Sequence, residues 1–524
     1  MRTFLFNIIK MKKLKLVGFA IAMACATPSF AGGLLTNTNQ HVAFNRMMSR
    51  EASIGIDGVY YNPAGVVFMG EGHHLAINWQ LAYQTRSIEN DYALFTNNVN
   101  NPITPRTFKG EAFAPVIPSF QYAYNKGRWS LQASFALTGG GGKCTFDNGL
   151  GSFEKIVAET AMAACQLAGA VDQVAAQHRV PAVFTQDDKF GTKGQYSYNS
   201  YMHGRQYYYG LSLGAAYKFS DNFSAFAGVR GVYASTNYYG YVEDIKVGAM
   251  PLYMVLDPTK KNAANIELSC DQSGVGFTPI IGVDFKTGKW NFSAKYEFKT
   301  RIRLKNKSVN QVPSIGNLPA NLRKAYITGG VPEQAADAIL NNTTIQGAMG
   351  QLKTQFDAKL EEAIGEYEDG KKIAGDIPAY LALGVGYSPI DAVRVNVGFH
   401  WFDDKNATSY KNRNKELKRG TLEYNAGVEV DVNKKITLST GWQNTNYGLS
   451  DEYMDDKSFV VSSNSVAVGG VYHINKKMDL NVAYFHTFYQ HKKTSENVEQ
   501  IGKTYSSDYT RNNNVFAVGL DINF

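Results

Sequence analysis

The residues of this chain best suited to chemistry are cations. Lys295, Lys299, Arg301 and Arg303 occupy odd positions in a run whose even positions are Trp290, Phe292, Ala294, Tyr296 and Phe298. In an extended strand alternate residues share a face, so this spacing predicts one apolar face and one basic face. Arg230 and Arg394 stand in alternating runs of the same kind. Cations on an inward face can hold an anionic head group, because a carboxylate taken out of water needs a charged partner. Lys299, Arg301, Arg303 and Arg230 are therefore the candidates for head-group binding. A second reading stays open: the ladder is a solvated wall, neutralised by acids such as Glu297 and Asp57.

Other reactive residues form no constellation. His400 and His486 belong to different strand-like runs, with no nucleophile-elbow motif, so no enzyme is expected. His73 and His74 are neighbours in a strand-like run and face opposite ways. Cys144, Cys165 and Cys270 follow no CxxC or His/Cys spacing, and no metal or cofactor is expected. One disulfide among the three is permitted in an oxidising compartment, with the pairing open.

The elements that would position these residues are strands. Six tight turns are legible: Asn125-Lys126-Gly127, Ser220-Asp221-Asn222, Lys286-Thr287-Gly288-Lys289, Ser388-Pro389-Ile390-Asp391, Asn433-Lys434-Lys435 and Asn475-Lys476-Lys477. Alternating runs flank each one. With one strand near 72–83 before them and one at the end, the count is about fourteen, an even number suited to an antiparallel transmembrane β-barrel. The last nine residues alternate without a miss, Phe516, Val518, Leu520, Ile522 and Phe524 against Ala517, Gly519, Asp521 and Asn523. Such an apolar strand would be an exposed edge in an open sheet, and closure removes it. A terminal Phe524 also looks like the signal read by the barrel-assembly machinery of the outer membrane of Gram-negative bacteria.

The start of the chain agrees. Met11-Lys12-Lys13-Leu14-Lys15, an apolar stretch to Ala24 and Ser29-Phe30-Ala31 read as a signal peptide over 1–31, with Met1 or Met11 as the start. Of the formal charge of +8, Arg2, Lys10, Lys12, Lys13 and Lys15 belong to the leader, which leaves +3. That balance, with no dense basic tract, gives no sign of nucleic-acid binding. No apolar run after the leader is long enough for a membrane-spanning helix.

Long connections are expected on the side opposite the turns, at 86–114, 141–197, 241–270, 308–372, 405–418, 447–457 and 493–508. Two carry helical periodicity: Phe153, Ile156 and Val157, continuing to Ala168, and Ile345, Met349, Leu352, Phe356, Leu360 and Ala363. These helices either pack on each other as a lid or offer an apolar landing groove, and the two are compatible. Residues 32–71 do not read as wall. They are apolar, with Leu34, Leu35, Val42, Phe44, Met47 and Met48, and fourteen strands enclose a lumen too wide for wall side chains to fill. An N-terminal plug inside a barrel of residues 72–524 is expected.

With Asn62-Pro63-Ala64-Gly65 in that segment, the chain resembles the FadL-type (FadL/TodX family) outer-membrane transporters of long-chain fatty acids and other hydrophobic compounds. Asn62-Pro63-Ala64 matches the Asn-Pro-Ala motif of their N-terminal hatch. The stretch from Gly32 to Gln40 is similar to the branch found in Bacteroides-like bacteria. The resemblance implies a monomeric barrel that captures a hydrophobic ligand at its outer loops. It also implies ligand release sideways into membrane lipid, through a wall gap at the third strand, once the hatch rearranges. Residues suited to such a gap are present: Pro115 and Pro118 on the second strand, and Gly139, Gly140, Gly141 and Gly142 on the third, since proline cannot donate to a ladder and glycine runs mark bends. They equally suit the start of an outer loop. A general diffusion porin and a surface adhesin using the long loops are the alternatives.

Overall fold

The computed structural model describes residues 35, 36, 39–498 and 502–524; the expected leader lies outside them. Fourteen wall strands follow one another in antiparallel pairing. They are β1 (Gly72–Tyr92), β2 (Arg106–Lys126), β3 (Trp129–Phe146), β4 (Tyr196–Lys218), β5 (Phe223–Val247), β6 (Ile266–Thr287), β7 (Trp290–Glu297 and Arg303–Gln311) and β8 (Lys372–Ala374 and Tyr380–Ile390). Next come β9 (Val393–Phe402), β10 (Thr421–Asn433), β11 (Ile436–Asn446), β12 (Ser463–Asn475), β13 (Met478–Tyr489, extended by Lys492–Val498) and β14 (Lys503–Asn523).

The cylinder closes between its first and last strands. β1 pairs with β14 from His74–Asn523 to Tyr92–Tyr505. At the rim, Phe524 N–H donates to His73 O (2.9 Å) and His73 N–H donates to Phe524 O (2.8 Å). All six expected turns join consecutive strands at that same end. The alternation becomes an inside and an outside. Phe516, Trp79, Phe277, Leu131, Val397 and Val468 are exposed on the outer face, while Ala517, Gln80, Thr278, Gln132, Asn396 and Ala467 are buried within. An apolar exterior around a closed ladder is the pattern of a barrel lodged in lipid.

The walls rise further than the hydrophobic pattern suggests. β1 continues to Tyr92 and β2 begins at Arg106, where a loop over 86–114 is expected. The outward residues there are Thr85, Ser87, Glu89 and Asp91, so the apolar signal ends where the strand leaves lipid while its hydrogen bonds continue.

Two short helices precede the wall, α1 (Val42–Met47) and α2 (Gly58–Tyr61). The outer loops carry α3 (Gly151–Gln177), α4 (Leu318–Thr328), α5 (Glu333–Leu340) and α6 (Thr343–Ile364). The periodic residues proposed as a landing groove are core instead. Phe153, Val157, Met349, Leu352 and Phe356 are buried in one cluster with Val242, Ile266, Leu322 and Ile339. Ile156 lies beside them. Two apolar helix stripes on the same rim bury each other, so the lid reading holds for these residues and the open groove does not. The side chains of Leu360 and Ala363 lie outside the described residues. Cys144, Cys165 and Cys270 are each free and buried.

Candidate functional site

The inner residues 39–69 run along the lumen face of the wall. Every residue of α1 is buried. Wall glycines make the room: a Cβ at Gly441 would lie 1.7 Å from Met47 O, and one at Gly427 2.4 Å from the same oxygen. At both positions only glycine admits the backbone of the segment so close.

The Asn-Pro-Ala-Gly stretch is fastened to three strands. Asn62 Nδ2 donates to Asp284 Oδ2 of β6 (2.6 Å), while Asn62 Oδ1 accepts from Gly65 N–H (3.2 Å). Gln132 Nε2 of β3 donates to Pro63 O (2.7 Å), and Ser224 Oγ of β5 donates to Ala64 O (2.6 Å). Ion pairs fix the rest. Arg46 meets Glu429 of β10, and Arg50 binds Asp57 (2.7 Å) and Glu429 (3.2 Å). Burial alone would raise the Asp57 carboxyl, but the Arg50 guanidinium holds it below its ordinary value. His400 sits between Glu51 (2.7 Å) and Glu423 (2.8 Å), a buried tie between segment and wall.

The β6–β7 ladder is interrupted between Ile280–Glu297 and Ser273–Lys305, and another interruption, on β2 and β3, lies beside a cavity. The β2–β3 ladder runs from Lys126–Trp129 to Ser119–Ala136, stops, and resumes at Ala112–Cys144. Pro115 and Pro118 lie in the interrupted part of β2, and Gly139, Gly140, Gly141 and Gly142 in that of β3. The β3–β4 ladder bulges twice at the same level, between Leu137 and Gly139 and between Gly140 and Gly142. Gly140 (φ 81°) and Gly142 (φ 121°) adopt backbone conformations that favour glycine.

The free backbone groups along this break are partly removed and partly recruited. The prolines have no N–H. Trp79 Nε1 donates to Pro115 O (3.0 Å). From inside, Gln40 Nε2 donates to Leu137 O (2.7 Å), while Gln40 O accepts from Gln121 Nε2 of β2 (2.6 Å). Gln40 thus ties both strands at the foot of the interruption. Tyr61 Oη, accepting from Gln40 N–H (2.9 Å), connects it to the rest of the segment.

A cavity of about 230 Å³ opens beside the break, lined by Ile117, Leu137, Gly140, Gly142 and Cys144. Phe146, Phe459, Phe485 and Val515 give it apolar surface, and Arg86, Arg511 and Lys457, the last paired with Asp455 (3.3 Å), give it charge. The two arginines face each other across β1 and β14. Both reach Gln84 Oε1, Arg86 through Nε (3.2 Å) and Arg511 through Nη2 (2.7 Å). Among the described residues neither forms an ion pair. Sequence reading missed this pair because it assigned residue 86 to a loop. Arg86 shares the inward parity of Ala82 and Gln84, which is the signal that would have found it.

The cations chosen from the sequence lie elsewhere. Arg230 is committed to a bidentate pair with Glu297 (2.6 and 3.0 Å), which also binds Lys295 (2.9 Å). Lys299 donates to Asn406 O (3.0 Å). Arg301 and Arg303 face outward, not inward. Glu297 pairs with Ile280 of β6, but Lys305 pairs with Ser273, a slip of one residue. A one-residue slip turns every later side chain to the other face. Beyond Phe298 and Lys299 the buried residues are therefore Thr300, Ile302 and Leu304.

Replacing Asn62 with Ala removes the donor to a buried carboxylate, a loss of about 1.5–3 kcal/mol. The wall ladder does not depend on that bond. The expected outcome is an assembled barrel in which amides of residues 53–69 exchange with deuterium about 10- to 100-fold faster, while those of β9–β12 are unchanged.

No protein-family model and no curated protein matches the chain. Solved structures do. A Pseudomonas aeruginosa FadL homologue aligns over 94% of this chain and 100% of its own, at 14% identity and a TM-score of 0.58. A TodX deltaS2S3 mutant monoaromatic hydrocarbon channel aligns over 92% of this chain and 98% of its own, at 14% identity and a TM-score of 0.50. At such identity the likeness concerns the fold, and the strand count, closure and apolar exterior agree with it. The chain is an outer-membrane β-barrel with a FadL-type fold.

Proposed function

We propose that this protein carries hydrophobic molecules, long-chain fatty acids or compounds of similar character, from outside the cell into the outer membrane. The observation that carries the reading is the interrupted β2–β3 ladder beside the cavity. The likeness to a FadL homologue and to a monoaromatic hydrocarbon channel supports it.

In this reading a ligand passes beneath the outer lid into the cavity. Its apolar part lies against Phe146, Phe459 and Phe485. An acidic head group meets Arg86 and Arg511, which form no ion pair among the described residues. Residues 32–71 act as the hatch. Displacing Gln40 releases Leu137 O and unties β2 from β3 at the break. The ligand then leaves sideways, between Pro115–Pro118 and Gly139–Gly142. Transfer from water to hydrocarbon favours each methylene by ~0.8 kcal/mol, so a twelve-carbon chain gains about 10 kcal/mol without an energy source.

Two experiments test this. A Cβ at Gly142 would lie 3.5 Å from the Cβ of Ala114, within disulfide reach. In a Cys144→Ala background, the pair Ala114→Cys and Gly142→Cys bridges the break when oxidised. Uptake of a fluorescent fatty acid is expected to fall at least about tenfold and to recover on reduction; undiminished uptake by the bridged protein would overturn lateral release. The double variant Arg86→Gln, Arg511→Gln is expected to bind a fatty carboxylate about 10- to 100-fold more weakly. Binding of the matching alcohol should be unchanged, and an equal loss for both would remove the arginines from head-group recognition.

A further inference from the structure

The register slip in β7 has a second result. It turns Arg301, Arg303, Lys305 and Lys307 out of the barrel, and all four are exposed. The register sets Lys372 of β8, also exposed, directly opposite Lys305. Arg303 reaches Asp376 (2.9 Å) and keeps half of its side chain exposed. Among the described residues, Arg301, Lys305, Lys307 and Lys372 form no side-chain hydrogen bond or ion pair. Asp271 stands opposite Lys307 and accepts from Asn237. Directly opposed like charges destabilise a sheet, so this face favours an anion from outside the chain.

Its height on the barrel says where that anion comes from. On β6 the outward residues Phe285, Val283, Ile281, Phe277 and Val275 form the lipid-facing band. The next outward residue, Ser273, pairs with Lys305. On the other side Ser273 pairs with Ser235 of β5, which pairs with Tyr207 of β4. Around that level Tyr201, Tyr207, Tyr209, Tyr233, Tyr239 and Tyr241 share the outward face, an aromatic girdle of the kind that marks a membrane interface. The basic ladder spans the edge of that band, with Arg301 and Arg303 running beside Gly276 and Gly274 and Lys305 and Lys307 just beyond it, and it points sideways toward the surrounding lipid.

We propose that the outward face of β6–β8 binds the phosphate groups of a phosphorylated glycolipid in the outer leaflet. Guanidinium groups pair with phosphate oxygens bidentately, and lysines add compact charges beside them. The site is separate from the cavity and independent of the transport reading.

The test uses the full-length detergent-purified protein and native mass spectrometry. The probes are bis-phosphorylated lipid A, the same lipid dephosphorylated, and inorganic phosphate. The wild type is expected to hold the phosphorylated lipid at least about tenfold more tightly than the dephosphorylated one. The variant Arg301→Gln, Lys305→Gln, Lys307→Gln, Lys372→Gln is expected to lose that preference. A control that removes the same charge from the turns, Lys434→Gln, Lys435→Gln, Lys476→Gln, Lys477→Gln, should keep it. Equal binding of both lipids, preference retained in the ladder variant, or preference lost equally in the control would overturn the proposal. Displacement of the lipid by millimolar inorganic phosphate would also overturn it, by assigning the face to free phosphate.

Discussion

In hydrocarbon a backbone N–H or C=O that leaves a β-ladder has no water to replace its partner, and each such group costs several kcal/mol. A barrel wall is therefore expected to pair without interruption. Here pairing lapses at the β7 register slip and at the β2–β3 break, and the latter is handled residue by residue. Prolines supply positions without donors, an indole bonds one carbonyl, and a side chain of the inner segment bonds another. Those substitutions make the break tolerable while the inner segment is seated, and they tie the state of the wall to the position of Gln40.

The rest of the molecule keeps that segment seated. The Asn62–Asp284 bond, the Arg46–Glu429–Arg50–Asp57 network and the Glu51–His400–Glu423 tie lie on strands away from the break. Removing one member of a buried ion pair typically costs about 3–5 kcal/mol. Gln40 is held by neutral hydrogen bonds, each worth about 1 kcal/mol net. In the proposed reading this energetic contrast lets the end of the segment near the break move while α1 and the Asn-Pro-Ala stretch stay fixed. A local rearrangement then suffices, and the barrel need not deform.

How much was legible in the sequence follows from the range of each signal. Turns and lipid-facing alternation are local, so about fourteen strands and a closing apolar strand at the end could be read directly. Pro115, Pro118 and the glycines from 139 to 142 are also local signals, although only pairing distinguishes a break from the start of a loop. The lid helices were found, but the landing groove was not, since burial depends on what each stripe meets. Arg301 and Arg303 were misplaced because a single extra residue at Phe298–Lys299 reverses the parity and leaves no trace in composition. Arg86 was missed because its strand continues above the lipid, where the outward residues turn polar, and without it Arg511 of the last strand had no visible partner.

A ligand that leaves through the wall at this break, as proposed, must pass the residues lining it, and a photoreactive fatty acid followed during uptake would mark them. Residues cross-linked during transport should fall on 113–118 and 137–143, with Gln40 and its neighbours labelled at lower yield. Labelling concentrated on the short turns at 126–129, 218–223 and 287–290, with none along the break, would mean that the ligand leaves through the end of the barrel and would contradict the account.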